Sequence, residues 1–261
     1  MPKLTALLLA CLAAIVPAHA EEIRQLSASD GHTTPYLLSA DLPTQAPPAI
    51  AAILFNGGEG NVGLMSKGIP HPGSNFLVRS RGLFVARGIP VALIDAPSDR
   101  SGMPDSYRMS QRHADDVAAL VLAMQQQFAG ARIYLVGTSR GSVSAAYAGA
   151  ALGNKVAGVA LTSSVFNASR DNNGLSGFSF SRITVPLLFV HHADDGCPAS
   201  PYGPAKRQAE TYPLITVQGG KPATSGPCEP FSPHGYLGRE EPVVDAIVHW
   251  MQGEPYPKVL D

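Results

Sequence analysis

A serine between two glycines stands where an apolar run gives way to a small-residue stretch. Arg132-Ile133-Tyr134-Leu135-Val136 leads into Gly137-Thr138-Ser139-Arg140-Gly141, and Ser142 to Leu152 follow with helical spacing. A G-x-S-x-G turn between a buried strand and a helix is the setting in which the serine acts as a nucleophile. The turn must be sharp enough to strain the serine backbone, so the flanking positions call for glycine, where strand and helix come close. The helix N-terminus beneath the serine favours developing negative charge. The plainer alternative is a glycine-rich turn with a capping serine, and the strand-to-helix context argues against it.

A serine hydroxyl needs a base to take its proton, and the base needs an acid to hold its tautomer. Val185 to His191 reads as a strand that runs into His192-Ala193-Asp194-Asp195, which supplies two candidate acids. Phe231-Ser232-Pro233-His234-Gly235-Tyr236 places His234 in a loop before the last helical segment. Nucleophile, acid and base then follow in the chain order Ser139, Asp195 (or Asp194), His234, one of the known triad orders. The third requirement is a set of donors for an oxyanion. Ile53-Leu54-Phe55 opens into Asn56-Gly57-Gly58-Glu59-Gly60, a loop of the right kind. Its alternative is a phosphate cradle, but it lacks the Lys-Ser/Thr pair of such loops and carries an acid where a phosphate would sit.

Other polar residues have simpler readings. Asp95-Ala96-Pro97-Ser98-Asp99 follows a strand and either borders a pocket or forms a capped turn. Arg112, His113, Asp115 and Asp116 lie in a helical segment, where charge usually marks a solvated face. Asp171-Asn172-Asn173-Gly174 reads as a turn, since the later acidic ligands of a calcium loop are missing. His191, His192 and His234 lie near two cysteines in sequence, but neither C-x-x-C nor H-x-x-x-H spacing is present, so no metal is expected.

The elements that must position these residues alternate regularly. Strand candidates are Ile50 to Phe55, Pro90 to Ile94, Arg132 to Val136, Val156 to Leu161, Val185 to His191 and Leu214 to Val217. Helical spacing covers Asn75 to Ala86, Ser110 to Phe128, Ser142 to Leu152, Ala205 to Thr211 and Glu241 to Met251. The alternation predicts a mostly parallel sheet with helices on both faces. Ile23 to Ala28 and Thr34 to Leu42 flank Asp30-Gly31 and predict an edge hairpin, followed by a Pro-rich link from Pro43 to Pro48. The stretch between Ser163 and Val185 is too short for a separate lid domain, so an open or lightly covered site is expected.

The chain has 261 residues, 45% of them hydrophobic and with no break in composition, which suits a single domain. Charged residues make up 15% and the net charge is -1, with no basic run. That excludes the electrostatic footprint of a nucleic-acid or anionic-membrane binder and favours a small, roughly neutral partner molecule. Lys3, the apolar run Leu4 to Val16 and Ala18-His19-Ala20 form the pattern of a secretory signal peptide over residues 1–20, leaving a mature domain of 21–261. The run is too short to span a bilayer comfortably, so no membrane insertion is expected once it is cleaved. Leu8-Leu9-Ala10-Cys11 also resembles a lipoprotein box, with Cys11 as the lipidated residue, and this ranks second. Without the leader, 18 basic and 20 acidic residues remain. Cys197 and Cys228 are then the only cysteines, an even count that predicts a disulfide in an oxidising compartment, periplasmic or extracellular.

These motifs together resemble the α/β-hydrolases, and small exported members with a V-H-H-x-x-D-x-C element most of all, matched here by Val190-His191-His192-Ala193-Asp194-Asp195-Gly196-Cys197. The resemblance covers nearly all of residues 50–252. It implies the α/β-hydrolase fold without a large lid. Relatives with an H-G-x-x-D turn carry the acid at the fifth place, which implies Asp195, while His191 and His192 become wall or turn residues. It also implies that the Gly58 and Arg140 N–H groups hold the oxyanion. The expected activity is cleavage of an ester or related acyl bond in a small molecule, with no cofactor. An amidase or acyltransferase would use the same residues, and a binding module could keep the scaffold without catalysis.

Overall fold

The computed structural model describes residues 20–28, 30–41, 48–71, 74–169 and 173–261. The expected signal peptide, apart from Ala20, lies outside the described residues, as do Cys11, Asp171, Asn172 and most of the Pro-rich link.

The edge hairpin is formed by β1 (Ala20–Ser27) and β2 (Thr33–Ala40), antiparallel, with Tyr36 and Leu38 of β2 buried. Then come β3 (Ile50–Phe55), α1 (Leu64–Lys67), α2 (Phe76–Val85), β4 (Val91–Ile94), α3 (Asp105–Arg108), α4 (Gln111–Gln127), β5 (Arg132–Thr138) and α5 (Gly141–Leu152). The second half adds β6 (Gly158–Thr162), β7 (Leu187–His192), α6 (Tyr202–Gln208), β8 (Leu214–Val217), α7 (Glu240–Gln252) and β9 (Val259–Leu260). Among the described residues one nine-stranded sheet forms in the order β1-β2-β4-β3-β5-β6-β7-β8-β9, parallel from β4 to β9. Only β2 runs against the rest, pairing antiparallel with β4 on one side and with β1 on the other.

The central strands are buried on both faces, so they read as continuous apolar runs. The pleat sorts them: Ile53 and Phe55 face one core with Val117, Leu120 and Met124 of α4 and Val143 of α5. Ala52 and Leu54 face the other, with Phe76 and Phe84 of α2 and Val244 and Ile247 of α7. Register then aligns the carboxyl ends of the strands. Phe55 lies opposite Gly137, Thr138 opposite Thr162, and Thr162 opposite Val190, so the segments leaving β3, β5, β6 and β7 emerge at one edge.

Three differences from the sequence reading have local causes. The sixth helix starts at Tyr202, three residues before the expected Ala205, because Pro204 falls in its first turn, where proline costs no hydrogen bond. The one-turn helices α1 and α3 and the two-residue β9 are too short for periodicity to register. Among the described residues no helix is long and apolar enough to cross a membrane.

Candidate active site

Ser139 occupies the turn between β5 and α5 with φ of 53°, in the left-handed region that β-carbon sterics disfavour. Its N–H donates to the Thr162 carbonyl at 3.0 Å, and Ser142 N–H donates back to the Ser139 carbonyl at 2.8 Å. Both glycines of the motif are required by space. A β-carbon on Gly137 would overlap the Gly141 carbonyl, and one on Gly141 would overlap that of Phe55. Packing of strand against helix thus fixes the strained turn and lifts the hydroxyl above the sheet.

His234 arrives from the opposite side of the edge, in the one-turn 3-10 segment Pro233–Gly235. Its Nε2 lies 2.9 Å from Ser139 Oγ, and its Nδ1 lies 2.8 Å from Asp195 Oδ2. With the Nδ1 proton donated to the carboxylate, Nε2 is left to accept from the serine hydroxyl. The His234 loop is held from below. Ser163, at the end of β6 with φ of 42°, donates from Oγ to the His234 carbonyl at 2.7 Å. Tyr236, fully buried with φ of 58°, accepts from Ser163 N–H at 2.9 Å and donates to the Val190 carbonyl at 2.8 Å.

Asp195 lies in the turn after β7 with its side chain sealed from solvent. Burial alone would raise its carboxyl. His191 at 3.5 Å, the His234 hydrogen bond and the Cys197 N–H at 2.9 Å outweigh burial and hold it down to about 2. Ser200 Oγ adds a fourth donor at 3.2 Å. The carboxylate is therefore ionised wherever the fold survives. Asp194 is exposed, and its N–H donates to His192 Nδ1. Of the two acids, it is Asp195 that reaches the imidazole. His191 and His192 are buried at the end of β7 and donate to the carbonyls of Ser200 and Gly219. Neither borders the cleft. Cys197 and Cys228 are joined by a disulfide that ties the Asp195 turn to the segment before His234.

On the other side of Ser139, the Asn56–Gly60 loop leaves β3. Among the described residues neither Gly58 N–H nor Arg140 N–H donates to a backbone carbonyl, so both are open to a ligand. Three side chains brace this loop and the segment after it, and of these only Arg108 went unflagged in the sequence. Arg108, with no solvent exposure, donates to the carbonyls of Met103 (2.8 Å) and Gly58 (3.3 Å) and to Ser144 Oγ (2.9 Å). Its burial pushes the guanidinium down to about 9, with Arg140 adding to the effect. The Arg140 side chain turns away from the serine to pair with Glu59 at 2.8 Å and with buried Asp105 at 3.3 Å. Asp95 receives the N–H groups of Val62, Leu64 and Ala96 at 2.7 to 2.8 Å. Asp95 is thus a buried anchor of the loop and does not border the cleft.

One expectation is corrected outright. The charged residues of α4 are not all solvated: His113 and Asp116 are buried. The turn of the β1–β2 hairpin folds over the start of α4, so that His32 Nε2 donates to Asp116 at 2.8 Å, and the Tyr107 hydroxyl donates to the same carboxylate.

Ser139 and His234 open into a cleft of about 780 Å³, walled by Val62, Ile69, Pro70, Phe76 and Val78 and by polar groups including Asn56, Asn75 and Glu229. A cavity of this size, apolar with a few convergent polar groups, matches small-molecule sites. No protein-family model matches the sequence, and no curated protein is significantly similar to it. Solved structures are similar over most of the chain. An α/β serine hydrolase without a lid from Xanthomonas campestris superposes with a TM-score of 0.60 at 14% identity, covering 89% of this chain and 94% of the other. Est1E from Butyrivibrio proteoclasticus gives 0.57 at 16% identity, over 88% and 98%. A cold-adapted esterase from an Arctic intertidal metagenomic library gives 0.53 at 17% identity, over 76% and 84%. The chain has the α/β-hydrolase fold, with no large lid domain.

Proposed function

We propose that the protein is a serine hydrolase that cleaves a carboxylic ester or a related acyl bond of a small molecule. The observation that carries this is the continuous line from Ser139 Oγ to His234 Nε2 at 2.9 Å and from His234 Nδ1 to Asp195 Oδ2 at 2.8 Å, opening into the cleft. Ser139 Oγ attacks the carbonyl carbon while its proton passes to Nε2, and the imidazolium is stabilised by ionised Asp195. The electron pair displaced onto the carbonyl oxygen is held by the Gly58 and Arg140 N–H groups. When the tetrahedral adduct collapses, the C–O bond to the leaving group breaks and Nε2 returns the proton to the departing alkoxide. Water, deprotonated by the same nitrogen, then hydrolyses the acyl-serine. Similarity to esterases of the same fold supports the ester reading.

Export fits the same picture, because the Cys197–Cys228 bond persists in an oxidising compartment. The test is a fluorophosphonate probe together with a panel of aryl esters of different acyl length. Ser139 is expected to be the labelled residue, with turnover abolished in Ser139→Ala. Folded wild-type protein that neither labels nor hydrolyses any ester would overturn the proposal.

A further inference from the structure

Asn75 stands immediately before α2, at a position where asparagine normally accepts a hydrogen bond from the first turn of the helix. It makes no such bond: its side chain does not cap, and its Oδ1 is buried without a partner among the described residues. Asn75 is instead a lining residue of the cleft. Its nitrogen comes close to the nucleophile. A β-carbon built on Gly57 would lie 2.8 Å from Ser139 Cβ and 3.0 Å from Asn75 Nδ2, so serine and carboxamide both stand within one van der Waals contact of a single point beside Gly57. No hydrogen-bond acceptor on the described residues engages that nitrogen. A capping residue left unused, with an unengaged donor beside a strained serine in the wall of the cleft, is what a site for developing negative charge requires.

We propose that Asn75 is a catalytic residue of the acyl transfer described above, donating from Nδ2 to the carbonyl oxygen as it becomes an oxyanion and supplementing the Gly58 and Arg140 amides. This rests on the serine-hydrolase reading. No proton is transferred; the carboxamide N–H stays covalently on nitrogen and lends only its dipole. Side-chain carboxamides can fill this role because they are fixed before the charge appears.

The experiment compares wild type with Asn75→Ala and Asn75→Asp in steady-state hydrolysis of an aryl ester, with second-order rates of Ser139 phosphonylation and thermal midpoints measured alongside. Loss of one oxyanion donor is expected to lower kcat by about 10²-fold with KM little changed, and phosphonylation should slow in parallel. Asn75→Asp keeps the shape, is a residue type able to cap, and places its charge at the favourable end of the helix dipole. It should hold or raise Tm while losing at least as much kcat as Asn75→Ala. A kcat within threefold of wild type in both variants, or a loss confined to KM, overturns the role of Asn75 while leaving the nucleophile intact. Absence of both turnover and phosphonylation in the wild type overturns the serine-hydrolase reading, and the role of Asn75 with it.

Discussion

The guanidinium of Arg108, fully buried, donates to the carbonyl oxygen of Gly58 at 3.3 Å across 50 residues of chain. The peptide it grips belongs to the loop after β3, which lines the cleft together with Ser139. The same guanidinium reaches Ser144 on the helix that follows the serine, so one side chain ties the loop after β3 to α5.

Arg108→Met removes that brace and leaves the Gly58 carbonyl and Ser144 hydroxyl without their donor. We expect a loss of about 2–4 kcal/mol in urea unfolding and a fall in kcat larger than the rise in KM. Wild-type kcat in a folded Arg108→Met protein would show that the loop holds its shape without the guanidinium.

Asp195→Asn keeps the size of the side chain but removes the charge that selects the His234 tautomer. A fall in kcat of about 10⁴-fold is expected, the scale measured for the corresponding change in a well-studied protease. Asp194→Asn, an exposed change, should leave kcat within a factor of two. Ester hydrolysis by the two variants, side by side, separates the two acids.

Reduction of the Cys197–Cys228 bond opens a loop with a sequence separation of 31. Chain-entropy reasoning puts the lost stability at about 3–4 kcal/mol. Because the bond links the Asp195 turn to the approach to His234, activity should fall at temperatures where the reduced protein is still folded. Full turnover in folded Cys197→Ser/Cys228→Ser protein would refute the coupling.

His113 has neither ring nitrogen bonded among the described residues, and burial, with Arg108 and Arg100 nearby, depresses it to about 3. Between an unfolded value near 6.5 and that point, the unfolded chain binds a proton that the native one refuses, so stability present above pH 6.5 is lost as pH falls. The slope contributed is at most about 1.4 kcal/mol per pH unit. His113→Phe keeps the ring contacts with Phe55 and Tyr107. It should flatten the acid limb of a plot of urea midpoint against pH, and an unchanged limb would assign the acid sensitivity to other groups.

The sequence carried those parts of the site that are fixed by local chemistry. Gly137 and Gly141 could be read because a sharp turn needs them, and His234 because a loop histidine before the last helix suits a base. The sheet was legible because doubly buried strands are continuously apolar. What could not be read depends on contacts distant in the chain. Arg108 sits in a single helical turn with no periodicity, and its role exists only because the loop after β3 settles over it. Asp116 looked like a surface residue because the hairpin turn that meets it lies far upstream, and His113 because Phe55, which it packs against, lies on a strand distant in the chain. The choice between Asp194 and Asp195 turns on a one-residue difference in where β7 ends, which spacing alone leaves open.

Among the described residues of the connection from β6 to β7, the helical part is the single 3-10 turn Phe180–Arg182, which forms no cap over the cleft, and this bears on how the protein would meet its substrate. A cleft with no shutter has nothing for an oil–water boundary to prise open. Its velocity with a sparingly soluble ester should rise hyperbolically and level off, without the sudden jump at the solubility limit shown by lipases that wait beneath a flap. A protein built this way would work on molecules that come to it singly through the aqueous phase.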